Sequence, residues 1–172
     1  MPRKSSGFGG RLKFLVRKVT VDDLEVLVRQ RRGMWENLGV ENRARLVEAD
    51  RAYRKWAKVR LRNGSLVGWI VETPNHVVAG GGCVWLRPEQ PKPRLRGLVE
   101  PYLLSMYTEP EFRRKGVASR IVKESLKWCR RNGYRRVLLH ASKKGRSLYR
   151  KYGFSRTWEM KLEFANKRRQ ES

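Results

Sequence analysis

Three cations and a glycine, Arg113-Arg114-Lys115-Gly116, stand between the apolar run Tyr102-Leu103-Leu104-Ser105-Met106 and an amphipathic stretch that continues to about Asn132. The order reads as strand, short basic turn, helix. The first N–H groups of a helix have no internal acceptor and lie at the positive end of its macrodipole. A phosphate satisfies both, so such a junction is an anion site. Arg113, Arg114 and Lys115 add full charges, and Gly116 lets a bulky ligand approach the backbone. The chemistry implied is the binding of a phosphoanhydride. The chain holds no Gly-x-x-x-x-Gly-Lys-Ser/Thr pattern, and no Gly-x-Gly-x-x-Gly follows the strand. Neither a P-loop nor a dinucleotide fingerprint therefore accounts for the turn.

A second segment carries further candidates. Val137 to Ser142 reads as a strand by its branched and apolar content, and Gly145-Arg146-Ser147-Leu148-Tyr149-Arg150-Lys151-Tyr152-Gly153-Phe154 follows it. Together with Arg113-x-x-Gly116-x-Ala118, this resembles the two signatures of the GNAT acyltransferase superfamily. One is the acetyl-CoA pyrophosphate loop; the other is a short helix carrying Leu148-Tyr149 and closing on Gly153-Phe154. The resemblance covers roughly Leu12 to Phe164 and is strongest from Leu98 onward. It implies an α/β (α+β) fold, a mixed and mostly antiparallel sheet of six to seven strands flanked by about four helices. It also implies acetyl-CoA as donor, a primary amine as acceptor, direct attack in a ternary complex, and no metal.

Carried over position by position, the resemblance gives the backbone of Met106, Tyr107 and Thr108 to the pantetheine and the polarised carbonyl. Arg113, Arg114, Lys115, Gly116, Val117 and Ala118 form the pyrophosphate loop, Ser119 adds a contact at the helix start, and Ser142 and Arg146 adjoin the donor. Tyr149 donates a proton to the departing thiolate. The chain departs from the family where Ser142 stands for a frequent Asn and Gly145 for a frequent Ala. The transfer needs an amine of pKa about 10.4 to lose a proton and a thiolate of pKa about 8.5 to gain one. Burial beside the sulfur keeps a phenol neutral and able to donate. For a base acting through water, Glu100 and Glu72 are the candidates, although each reads more readily as an ordinary surface or ion-paired carboxylate. By the same resemblance the acceptor meets Arg31 to Trp35, Tyr53, Trp56 and the Pro-rich loop, although helical spacing also suits those aromatics to a core.

With 172 residues, the chain is sized for one domain, taken as 12–166, between a mobile basic tail at 1–11 and a polar tail at 167–172. The longest uncharged stretch, Thr73 to Leu86, holds three glycines and a histidine, so neither a membrane span nor a secretory signal is expected, and the compartment is the cytoplasm. Cys83 and Cys129 read as small buried hydrophobes, too few for a disulfide framework or a structural zinc. His76 and His140 stand apart.

Charge is lopsided: 41 Lys and Arg against 16 Asp and Glu, net +25. A positive cleft concentrates a polyphosphate donor, yet such a ligand needs only a handful of cations. Two readings of the excess stay open. One is a solvated face, such as Arg120, Lys123, Lys127, Arg130 and Arg131 opposite Val117, Ile121, Val122, Leu126 and Cys129. The other is contact with nucleic acid or the ribosome, which allows an alternative function as a basic binding module with little or no catalysis. The same field disfavours polyamine acceptors and suits an amine on an acidic molecule or on a protein held near RNA, so the acceptor stays open between a protein lysine or N-terminus and a small-molecule amine. A homodimer through the C-terminal edge is also expected.

The supporting elements read in order. Leu12–Lys18 is a strand, and Val21 to Asn37 a helix capped near Thr20 or Asp22, with Gly39 past its end. Glu41 to Arg62 is a second helix stopped by Asn63-Gly64. Leu66–Glu72 and Val77–Leu86 form a hairpin over Thr73-Pro74-Asn75-His76, and Arg87 to Leu98 is a proline-rich loop. The core strand, long helix, next strand and Tyr149 helix follow, and Trp158–Phe164 alternates as a closing strand.

Overall fold

Alternation and turn chemistry decide which segments pair, and the computed structural model, which describes residues 13–91 and 98–164, joins five strands in one sheet. They are β1 (Leu15–Lys18), β2 (Leu66–Glu72), β3 (Val78–Pro88), β4 (Val99–Thr108) and β5 (Leu138–Leu139), in spatial order β1-β2-β3-β4-β5. The first four pair antiparallel, and β5 joins β4 in parallel. The helices are α1 (Leu24–Asn37), α2 (Arg43–Arg62), α3 (Val117–Arg131) and α4 (Arg146–Lys151). A mixed, mostly antiparallel sheet with four helices is the expected architecture. Its strand number is five where six to seven were expected. The described residues fall into two compact units, divided after His140.

The missing strand is the last one. Trp158, Met160, Leu162 and Phe164 do alternate, but the segment joins no ladder and all four side chains are exposed. β5 is also shorter than the Val137–Ser142 run, because its ladder to β4 ends at Leu103↔Leu139, just before β4 changes course. The two tails and the centre of the proline-rich loop lie outside the described residues. Among those described, no helix is long and apolar enough to cross a membrane.

Within the first unit, local chemistry places the helix ends. Thr20 and Asp23 form a capping box ahead of α1. Asn42 caps α2 by accepting from the Arg45 N–H at 3.0 Å. Leu24, Leu27 and Val28 of α1 pack with Tyr53 and Ala57 of α2 onto Leu66 and Cys83. On the other face, Val117 and Ile121 of α3 pack onto Val71 and Ala79. Both faces approach β3 so closely that Gly80, Gly81 and Gly82 have no room for a side chain. A Cβ on Gly81 would strike the Gln30 amide of α1, and one on Gly82 would strike the Met106 sulfur. Burial pushes the Cys83 and Cys129 thiols up to about 12 and about 11, so both act as small hydrophobes.

Buried carboxylates at the sheet margins carry ion pairs. Asp23 and Glu72 share Arg17, whose Nη1 and Nε reach them at 2.8 Å. Glu100, only 1% exposed, is held by Arg136, with the Arg87 guanidinium 3.8 Å away. Removing one partner of a buried pair leaves an uncompensated charge. Arg136→Ala should therefore cost about 2–3 kcal/mol in urea unfolding, at the lower end for a buried pair because Arg87 remains nearby. A change under about 0.5 kcal/mol would show that Glu100 does not depend on it.

Candidate active site

β4 carries one residue too many. Gly81 faces Tyr107 and Cys83 faces Leu104, so three steps on β4 answer two on β3. The surplus is absorbed at Ser105, whose φ of 54° is left-handed and unusual for a residue with a side chain. Beyond Leu103 the β5-side edge of β4 has no ladder partner among the described residues. Met106 then packs toward α3, and the Tyr107 ring lies against Gly33 of α1.

Past Thr108 the chain makes one 3-10 turn at Pro110–Phe112 and enters the basic loop. Arg113 Nε donates to the Thr108 carbonyl at 3.2 Å, which folds the loop back on the strand end. Arg114 and Gly116 are both left-handed, with φ of 62° and 82°. They flank Lys115 in the kind of turn where successive N–H groups converge on an anion. Gly116 is the N-cap of α3, and no side chain caps that end. Arg120 reaches back to the Gly116 carbonyl at 3.3 Å. Arg113, Arg114 and Lys115 are exposed, with no ion pair among the described residues. The structure thus brings Met106, Tyr107, Thr108 and Arg113 through Ser119 into one continuous strand end, turn and helix start.

The two expected bases lie elsewhere. Glu100 pairs across the ladder with Arg87, five residues before the bulge, or roughly 17 Å of strand. Glu72 is held by Arg17, with His76 Nδ1 3.5 Å away, two strands from β4, or roughly 10 Å. Both are held by cations away from the loop, a placement that sequence reading left open because each main partner is far along the chain. The carboxylate at the loop itself is Glu109. Its Oε1 is buried, Arg29 lies 3.2 Å away, and burial raises its pKa against the pull of that guanidinium. Its position directly before Pro110 at a strand end was the available signal.

In the second unit, Tyr149 sits on α4 with its ring edge-on to Phe154 at 5.8 Å. Gly145 opens the helix, and a side chain there would press on the Tyr149 ring. Burial raises the phenol pKa above its ordinary value, so it stays protonated and able to donate. Ser142 Oγ accepts the Gly145 N–H at 3.2 Å, which makes it a turn-former into α4, while Arg146 is exposed. His140 is exposed and joins neither core.

Several polar groups lie on the α1–α2 face of the first unit, and only the helix span containing some of them was visible in sequence. Gln30 is 2% exposed with neither amide atom partnered, and it rests against Gly81, the ladder partner of Tyr107. Tyr53 is also buried; its hydroxyl faces Ser105 without completing a hydrogen bond. The Arg31 guanidinium stacks on the same Tyr53 ring at 4.7 Å.

A model of the acetyltransferase (GNAT) family matches residues 27–154, a span that includes both the basic loop and α4. A GCN5-related N-acetyltransferase structure from Ralstonia eutropha JMP134 is similar with a TM-score of 0.80 at 25% identity, covering 88% of this chain and 99% of that one. A predicted acetyltransferase from Clostridium acetobutylicum, solved with acetyl-CoA, gives a TM-score of 0.78 at 27% identity, covering 89% and 96%. A search of curated proteins finds no match.

Because the Tyr53 hydroxyl is desolvated without a partner, deleting it should not weaken the fold. Tyr53→Phe is expected to leave urea stability equal or raise it by about 1 kcal/mol. A loss beyond about 1 kcal/mol would mean the hydroxyl has a structural partner.

Proposed function

The chain belongs to the GNAT acetyltransferase family, and from that premise we propose that it transfers the acetyl group of acetyl-CoA to a primary amine. The observation that carries the reading is the β4–α3 loop. Uncapped helix N–H groups, two left-handed residues and three cations with no ion pair among the described residues suit a diphosphate. Acetyl-CoA, when bound, supplies an activated thioester carbonyl. Arg113 through Ala118 bind its pyrophosphate, with Ser119 at the helix start. Met106 and Thr108 offer backbone groups on the unpaired edge of β4 to the pantetheine arm. The amine attacks the carbonyl carbon, the C–S bond breaks, Tyr149 protonates the sulfur, and the amine proton passes through water to Glu109. Residues 12–166 act as one domain in this reading, which a family match running through residue 140 supports.

Thiol release from acetyl-CoA across a panel of amines, peptides and amino acids tests the assignment, and silence with every acceptor would refute it. Tyr149→Phe should lower kcat about 100-fold while acetyl-CoA still binds. An acid works only while protonated, and burial raises this phenol's pKa. No alkaline loss of kcat is therefore expected below about pH 10. A limb near pH 8 would remove Tyr149 from the role.

One observation favours a second reading, in which the chain also binds nucleic acid. Arg51, Lys55, Lys58 and Arg62 follow each other at three- and four-residue steps along α2, all exposed and none ion-paired among the described residues. Like charges at those steps destabilise a helix, so a solvated face gains nothing from them. Replacing all four by Gln should reduce the salt slope of single-stranded RNA binding by about 3, at roughly 0.7 per phosphate contact. An unchanged slope would leave the ridge without a phosphate partner.

A further inference from the structure

Four arginines stack on aromatic rings, namely Arg31, Arg60, Arg87 and Arg120. Three of them also donate: Arg60 to the Trp56 carbonyl, Arg87 to Glu89 and Arg120 to the Gly116 carbonyl. Arg31 lies 5.3 Å from the Trp35 ring centre and 4.7 Å from that of Tyr53, yet no acceptor among the described residues meets it. The other two arginines of α1 are engaged. Arg29 pairs with Glu109, and Arg32 holds Asp50 through Nε at 2.7 Å. Among the described residues Asp50 is the carboxylate whose field reaches Arg31, and it is already bound.

A half-buried guanidinium without a counter-charge carries a desolvation cost that stacking only partly offsets. The stack also fixes the planar fork, which is the geometry that takes an oxyanion through two parallel N–H groups. Polar atoms without a hydrogen-bond partner are buried on the same α1–α2 face. The Tyr53 hydroxyl faces the bulge at Ser105, and the Gln30 amide rests on Gly81, opposite Tyr107. Arg31 is thus linked through one shared ring to the place where β4 turns out of the sheet. An excess of cations over the whole chain would draw such a ligand in.

We infer that Arg31 holds an oxyanion on the acceptor, so that the substrate is an amine that also bears a carboxylate or a phosphate. The inference rests on the acetyltransferase reading for its chemistry but not for its binding step. Paired acceptors test it: ethanolamine against O-phosphoethanolamine, and propylamine against β-alanine, each with acetyl-CoA. The charged member should have at least tenfold higher kcat/KM, and the better pair tells phosphate from carboxylate. Arg31→Met should reduce that ratio at least tenfold, through KM more than kcat, and Arg31→Lys should restore part of it. Calorimetry of the same compounds with CoA present reads binding apart from turnover. Heat from the charged ligands that disappears in Arg31→Met supports the inference even if no amine is acetylated, in which case only the transfer reading falls. Equal or better use of the neutral amines overturns it, as does an Arg31→Met variant that weakens both members of each pair alike. Should Arg31→Met not fold, the wild-type ratio decides.

Discussion

Antiparallel pairing matches residue to residue, and β4 breaks that rule at Ser105, where one residue more than its partner strand can answer is left over. The left-handed backbone there gives up ladder hydrogen bonds and turns the strand. The candidate site is built on that turn. It ends the pairing with β5, sends the Tyr107 ring to α1 and the Met106 side chain to α3, and aims the chain into the basic loop. Beyond that turn one backbone edge of β4 has no ladder partner among the described residues, and after the basic loop comes the uncapped start of α3.

Electrostatics sort into two populations. Most carboxylates in the described residues already hold a cation: Asp23 and Glu72 share Arg17, Glu25 takes Arg54, Asp50 takes Arg32, and Glu100 takes Arg136. These pairs neutralise groups that burial would otherwise penalise. The cations left over are spread over both units, and among them stand the loop before α3, the ridge along α2 and Arg31.

The parts legible in sequence were those fixed by short-range rules. The hairpin of β2 and β3, the stop at Asn63-Gly64 and the strand-turn-helix order around Gly116 all follow from neighbours within a few residues. The ion pairs that occupy Glu100 and Glu72 join residues 36 and 55 positions apart, so no window of sequence contains them. Arg31, Gln30 and Tyr53 gain their meaning from lacking a partner, a property only packing reveals. Trp158 to Phe164 shows the converse: its alternation describes a strand, but pairing requires an edge that the pattern alone does not supply.

The bare stretch Gly80-Gly81-Gly82 has a consequence for how this enzyme could diversify. With helices pressed on both sides of β3 and no volume for even a methyl group, the sheet is a fixed floor. New acceptor preferences cannot arise by carving or filling that floor. If the acceptor lies against α1 and α2, as proposed, they come from side chains carried by those helices, and lineages sharing this glycine run would drift apart on the helices while their central strands stay alike.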